Sequence, residues 1–371
     1  MYFYIYMNLF HERHKTTTGA TNISWLFGLP RILLTAFLVL TATDLIAQDA
    51  VVTRIQTDSG LVYKWTALHR DKEIGAGLVT DPNHYLLTGK EINRRVKLVA
   101  VGNIAGYAAV MYGLNKEWYS GYPRSSFHFF NDNREWLQVD KVGHMYSAYI
   151  ESYGSMELWR WTGIGRKKRI LLGGLSGAFY QTVIETLDGF SSQWGWSWGD
   201  FSANVVGSSI LTSQELLWDE QRIRLKFSFH RNDYGDPALN KRADELYGKT
   251  LSERFLKDYN AQTYWASANL QSFLPHSDLP SWLSIAVGYG AEGMFGAEEN
   301  VGKDKLGNIT FSRTDIPRYR QWYLAPDVDF RKIKTKKKGL KILFAVLDAF
   351  KFPAPSLEFS QGRFKLHAIS F

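Results

Sequence analysis

Four apolar stretches of helical length, separated by short polar or basic breaks, organise the middle of the chain. Residues 98–114 (LVAVGNIAGYAAVMYGL) carry no charge, and their Gly and Ala positions permit close helix approach. Residues 145–161 and 170–184 flank the basic break Arg166-Lys167-Lys168-Arg169, as the two arms of a helical hairpin would. The second arm holds Gly173, Gly174, Ser176, Gly177 and Ala178, another close-packing face. Residues 201–217 are apolar except for Asn204 and the Ser and Thr positions. After Trp218 the pattern changes. Residues 225–230, 263–274, 282–290 and 319–330 read as strands bounded by Pro, Gly and Asp, while 236–259 is charged and helical in pattern. Near the C-terminus, Leu340, Leu343, Val346, Leu347 and Phe350 form one helical stripe beside Lys338, Lys341 and Lys351. Such a helix suits either a membrane surface or its own domain. Residues 357–371 read as closing strands. The terminal Phe371 with Ile369 resembles the end of an outer-membrane barrel, a pattern that Lys365 and His367 on the same face interrupt.

These elements predict an α+β protein, a helical bundle of about four apolar helices followed by a strand-rich region. The expected divisions are an N-terminal extension with a signal peptide (1–48), a polar segment with a strand at 50–56 (49–96), the helical core (97–218) and the mixed C-terminal region (219–371). The core helices fall short of the roughly 20 apolar residues that comfortably cross a bilayer, so docked, tilted-span and soluble bundles are all open. In residues 31–50 (RILLTAFLVLTATDLIAQDA) one Arg precedes an apolar run and a small-residue exit, the order found in secretory signals.

Candidate chemistry sits where the helices end. Asp140, Lys141 and His144 (DKVGH) open the second helix, Glu185 and Asp188 (ETLD) close the third, and Ser197, Asp200 and Asn204 (WSWGDFSAN) open the fourth. In an antiparallel hairpin all three groups come to one end of the bundle. His144 follows Asp140 by one turn and Glu151 follows His144 by seven residues, so the three can share a face. Asp140 and Asp200 also suit helix N-caps. One histidine, several carboxylates and an Asn admit three roles: a divalent-cation site, an acid–base pair, or a buried hydrogen-bonded knot that fixes helix register. As chemistry, the first choice of reacting residues is His144, Glu185 and Asp200. His128, in FHFFND, reads as a lone packing or interface residue.

At these residues the chain resembles a known family. DKVGH, ETLD and GWSWGDFSAN with Gly207 are similar, in that order, to the YfiM-like predicted periplasmic lipoproteins, a domain of unknown function. They are more distantly similar to VanZ-like membrane proteins. The resemblance spans residues 98–218, and GWSWGD is its most specific piece. The segments 259–265 (YNAQTYW) and 288–293 (GYGAEG) resemble the C-terminal extension of larger members. What the resemblance implies is an envelope location, not a reaction.

Composition narrows the remaining choices. The absence of cysteine removes disulfides, thiolate metal sites, a Cys nucleophile and a lipid-bearing Cys from consideration. Thirteen Trp, 20 Tyr and 23 Phe suit either membrane interfaces or large aromatic cores. A net charge of +8 favours anionic surfaces such as lipid phosphate, and no nucleic-acid recognition motif accompanies it. HExxH, GxSxG, Walker and membrane acid-phosphatase patterns are absent. The expectation is an exported, membrane-associated envelope protein on the periplasmic side, with the outer membrane favoured and a structural or interaction role. The alternative is a hydrolase or transferase acting on lipid-linked or cell-wall substrates through His144, Glu185 and Asp200. Cleavage is expected between Ala47 and Ala50. N-terminal sequencing of the purified protein checks it, and a chain still starting at Met1 or Met7 would mean a retained anchor.

Overall fold

A computed structural model of the chain describes residues 51–57, 60–66, 87, 89–114, 123–192, 194–304 and 306–370. The segment 31–50, expected to be a secretory signal, lies outside them. The chain forms two compact units. The smaller contains the antiparallel hairpin β1 (Val51–Thr57) and β2 (Gly60–Thr66), helix α1 (Gly89–Leu114) as far as Tyr112, and Gly154–Gly173. That last segment holds the end of α2 (Val139–Thr162) and nearly all of α3 (Arg166–Gly174). Val96, Val99 and Trp159 form its core, with Ile92, Ile164 and Leu172 packed around them. A side chain at Gly173 would lie 2.3 Å from the Met156 Cα, so the close-packing face read from the sequence is used there.

The larger unit contains Gly113–Tyr153 and Gly174–Phe371. The apolar run 170–184 is not one helix. It breaks at Leu175, and α4 (Ser176–Asp188) begins afresh. Leu175 offers no side-chain cap, so the first N–H groups of α4 are satisfied from outside. Gly177 N donates to Ser152 Oγ of α2 at 2.9 Å, and Ala178 N donates to Ser208 Oγ of α5 (Trp198–Trp218) at 2.8 Å. The two hydroxyls also bond each other at 2.8 Å. Such contact needs bare backbone. A Cβ at Gly177 would meet Ala148 O at 2.0 Å, and one at Gly207 would meet Met145 O at 2.1 Å. Among the described residues no helix is long and apolar enough to cross a membrane.

Beyond α5 the chain builds a six-stranded antiparallel sheet in the order β10-β9-β8-β5-β4-β3. Its strands are β3 (Ile223–Phe229), β4 (Gln262–Asn269), β5 (Leu283–Glu292), β8 (Tyr319–Val328), β9 (Ala354–Ser360) and β10 (Arg363–Ser370). A small hairpin, β6 (Val301–Lys303) with β7 (Ile309–Ser312), sits between β5 and β8. The helical stretch 236–259 is two helices split at Gly248, whose φ of +85° suits glycine. Asp236 caps α6 (Pro237–Tyr247), and a Thr250/Glu253 capping box starts α7 (Leu251–Lys257). The strand expected to reach residue 274 stops at Asn269. The Asn269 side chain accepts from Ser272 N and caps the single turn α8 (Leu270–Phe273). The basic amphipathic stretch forms α9 (Lys338–Leu347).

This sheet is strongly curled. Phe350 bridges to Phe227 on the outer edge of β3, yet β9 begins only four residues later, on the far side of β8. Four residues span at most about 14 Å, whereas five strand spacings in a flat sheet are about 24 Å. Only a sheet rolled towards closure reconciles the two. Its inward rows mix charged, polar and aromatic residues: Lys226, Trp265, Gly288, Tyr323, Glu358 and Lys365 lie side by side in register, and Trp265 and Tyr323 pack with Ala286 and Ala325. Its outward rows are apolar. Phe227, Tyr264, Tyr289, Trp322, Phe359 and Phe364 form one, and Leu225, Ala266, Val287, Leu324, Leu357 and Leu366 the next.

Gly207→Ala and Gly177→Ala are expected to cost roughly 1–3 kcal/mol each through overpacking against α2. Gly154→Ala, where a methyl group meets nothing within 4 Å, should leave stability unchanged or higher. Urea denaturation of the three variants checks this.

Candidate functional site

The polar groups read from the helix ends do converge, within the larger unit, and Lys141 is their centre. Its ammonium lies 2.6 Å from Asp132, 3.0 Å from Asp140 and 2.8 Å from Asp200. All four side chains are nearly or wholly removed from solvent. Asp132 belongs to the loop before α2, Asp140 to the first turn of α2 and Asp200 to the first turn of α5. One cation therefore ties three segments together. Gly199 makes this possible, because a Cβ there would sit 2.9 Å from the Lys141 Cε and closer still to Asn133.

Ser197 links the remaining members. Its hydroxyl accepts from Asp200 N at 3.1 Å, capping α5, and donates to Asp132 at 2.5 Å. Its own N–H donates to Glu185 at the end of α4, at 2.5 Å. His144 Nδ1 lies 3.1 Å from Asn204 Oδ1, and Nε2 lies 3.5 Å from Asp200 Oδ1. Asp200 Oδ1 is the oxygen that meets the Lys141 ammonium, while among the described residues Asn204 Nδ2 has no hydrogen-bond partner as placed. Turning the Asn204 amide lets Nδ2 donate to His144 Nδ1 and leaves Nε2–H to donate to Asp200, which serves both atoms with a neutral imidazole.

Burial governs the protonation of the set. It pushes the Glu185 carboxyl up to about 9, helped by repulsion from Asp200 and Asp188, so Glu185 holds its proton at neutral pH. Burial also raises Asp140 to about 7 against the pull of Lys141. It lowers His144 well below the usual imidazole range, with the Lys141 charge adding to the effect. For Lys141 burial acts downward, but the charges of Asp140, Asp200 and Asp132 outweigh it and hold the ammonium above its ordinary range.

Of the residues expected at the site, Asp140, Lys141, His144, Glu185, Ser197, Asp200 and Asn204 come together. Asp188 is near enough to repel Glu185. Glu151 instead accepts from Gln181 Nε2 at 2.8 Å, away from the cluster. Asp132 is the member that the sequence reading missed. It lies in an irregular loop without periodicity, and nothing in FNDN marks it. The ligand atoms of His144, Glu185 and Asp200 lie within 4.8 Å of one another, as do those of Asp132, Asp140 and Asp200. In the second trio the Lys141 ammonium stands where a bound cation would, so these acids suit a metal only if that lysine leaves.

Above the cluster the loops 123–130 and 189–196 pair through their backbones, with His128 N donating to Gly189 O and Trp196 N to His128 O. His128 is thus a backbone partner, and its Nδ1 lies 3.3 Å from the Ser125 hydroxyl. Phe127, Phe129, Trp196, Trp198 and Phe201 stack over these loops, leaving Phe129 and Trp198 exposed. A separate cavity of about 450 Å³ lies between Val142, Met145 and Tyr146 of α2 and the outward sheet residues Val287 and Trp322. Its lining includes no member of the Lys141 cluster.

A family model described as predicted periplasmic lipoprotein (DUF2279) matches residues 128–214, less than a quarter of the chain, and the whole cluster falls inside the match. That segment is therefore similar to a periplasmic envelope family of unknown function. No curated protein and no solved structure matches the chain.

A pH dependence follows from the raised carboxyls. Glu185, Asp140 and Glu151, the last also pushed to about 7 by burial, keep protons in the folded state that the unfolded chain releases at lower pH. Their contribution is complete in acid, below the ordinary carboxyl range, and is lost as pH rises through about 7 to about 9. The melting temperature should fall between pH 5 and pH 9, and Glu185→Gln should flatten the upper part of that fall. Differential scanning calorimetry across the range checks both.

Proposed function

We propose that the protein is a non-enzymatic, membrane-associated component of the cell envelope, exported to the periplasmic side, in which the Lys141 cluster fixes the register of three chain segments. One observation carries the structural role: the ammonium at 2.6–3.0 Å from three carboxylates already pairs Asp200, and with it Asp132 and Asp140 from two further segments. The cavity, by contrast, is lined by other residues. Similarity of residues 128–214 to periplasmic lipoproteins supports the envelope placement. The folded surface offers its own means of membrane attachment. The exposed Phe129 and Trp198 and the basic helix α9, whose Ile342, Leu343 and Val346 are bare, suit that task.

The test removes single members of the cluster. His144→Ala and Asp200→Asn should each destabilise the fold by roughly 1–3 kcal/mol, because buried partners are left unpaired. Added Mg²⁺, Ca²⁺ or Zn²⁺ should not raise the melting temperature of the parent. Variants as stable as the parent would overturn the structural role. So would a metal-dependent rise in the parent that the variants lose, which would favour chemistry at His144, Glu185 and Asp200.

A further inference from the structure

The curled sheet has its polarity reversed. Antiparallel sheets of water-soluble proteins bury their apolar face and solvate the polar one. Here Lys226, Asp327 and Glu358 face inward and are buried, with Lys226 completely enclosed. Lys226 Nζ bonds Asp327 at 2.8 Å although three strand spacings separate β3 from β8, so the interior holds buried ion pairs beside a small apolar cluster of Trp265, Ala286, Tyr323 and Ala325. Lys365 and His367 of β10 stand at the exposed rim of this interior and reach its Glu358 at 3.3 and 2.7 Å. The outward face is bare hydrocarbon and aromatic ring. Val287 and Trp322 are about half exposed, at 50% and 48%, and Phe364 and Leu366 are more open, at 71% and 82%. Helix α2 packs on the outward face at β3 and β4, where Tyr146 meets Phe227 and Tyr264, and the cavity beside it reaches Val287 of β5 and Trp322 of β8 but no residue of β9 or β10.

From this arrangement we propose that the outward face of β5, β8, β9 and β10 is a lipid-docking surface that inserts into one leaflet of a membrane. Inward polar and outward apolar alternation is the pattern of sheets whose outer solvent is lipid. The order along the strands matches half a bilayer. Arg320 comes first, then the aromatic row through Trp322, then the aliphatic row through Leu324, then Ile285 with Pro326. That is the sequence of headgroup, interface and acyl chain. The apolar band, from residue 322 to 326 on β8, is about 14 Å deep at about 3.4 Å per residue, which is one leaflet of a core about 30 Å thick. The net charge of +8 favours anionic headgroups. This proposal rests on the membrane-associated reading above and names the surface that does the work.

The absence of cysteine allows a direct test on the full chain. Leu366→Cys, on the outward face, and Lys303→Cys, on the β6–β7 hairpin beyond the Arg320 end, are each labelled with an environment-sensitive dye. They are mixed with phosphatidylethanolamine–phosphatidylglycerol vesicles. The protein should float with the vesicles. The dye at 366 should brighten at least twofold, shift to the blue and be quenched by spin-labelled acyl chains, while the dye at 303 stays unchanged. Flotation with a silent dye at 366 would overturn this surface and leave the envelope reading standing. Absence of flotation would remove both. A dye at 366 already buried without vesicles, in protein that sediments as a dimer, would give the face to a second copy of the chain and overturn the proposal.

Discussion

A lysine withdrawn from water costs several kcal/mol unless its charge is met, and that requirement shapes the helical part of this protein. Lys141 is met by acids from three segments, and none can move without uncovering it. The surrounding sequence serves this geometry. Gly199 leaves space for the lysine stem, Ser197 starts α5 and fastens Glu185, and Gly207 lets α5 lie against the backbone of α2. Three carboxylates around one ammonium, with the Glu185 carboxyl close to Asp200, would be over-charged. The excess is relieved by the proton that Glu185 keeps and by the position of Asp140 near neutrality.

The sheet solves the same problem a second time with different residues. Lys226 bonds Asp327 and Asp348, while Arg224 bonds Asp348 at 3.0 Å and stands 3.6 Å from Asp329. In both places buried ions share the interior with apolar side chains. A fold arranged in this way draws less of its stability from hiding hydrocarbon in its own core. Its interior depends instead on geometry, since buried ions are favourable only when their partners are well placed.

Much of this was legible in the residues, and the failures have physical causes. The helices and strands followed from apolar periodicity, and the meeting of the helix ends followed from short connections. Glu151 was placed on the His144 face by its spacing, but seven residues advance a helix by about 10.5 Å, and it found Gln181 instead. The break at Leu175 leaves no local mark because its capping hydroxyls come from Ser152 and Ser208, distant in sequence. Alternation along β10 was visible, and so was the apparent conflict between Ile369 and the Lys365–His367 pair. A register shift after His367 resolves it, leaving Ile369 exposed while the other two reach Glu358. Alternation cannot say which face is outside, because that depends on how the sheet rolls.

The last strand carries a consequence for the life of the molecule before it reaches its destination. Among the described residues β10 pairs on one side only, with β9, and nearly every residue on it is exposed. It offers an open row of backbone donors and acceptors flanked by Phe364 and Leu366. Arg363 is a charge on that edge, whereas Lys365 is partly engaged by Glu358. In water such a strand is a template for mispairing between newly made chains. Folding is then a race between closing the sheet and aggregation between chains, and a carrier that shields this strand would decide it.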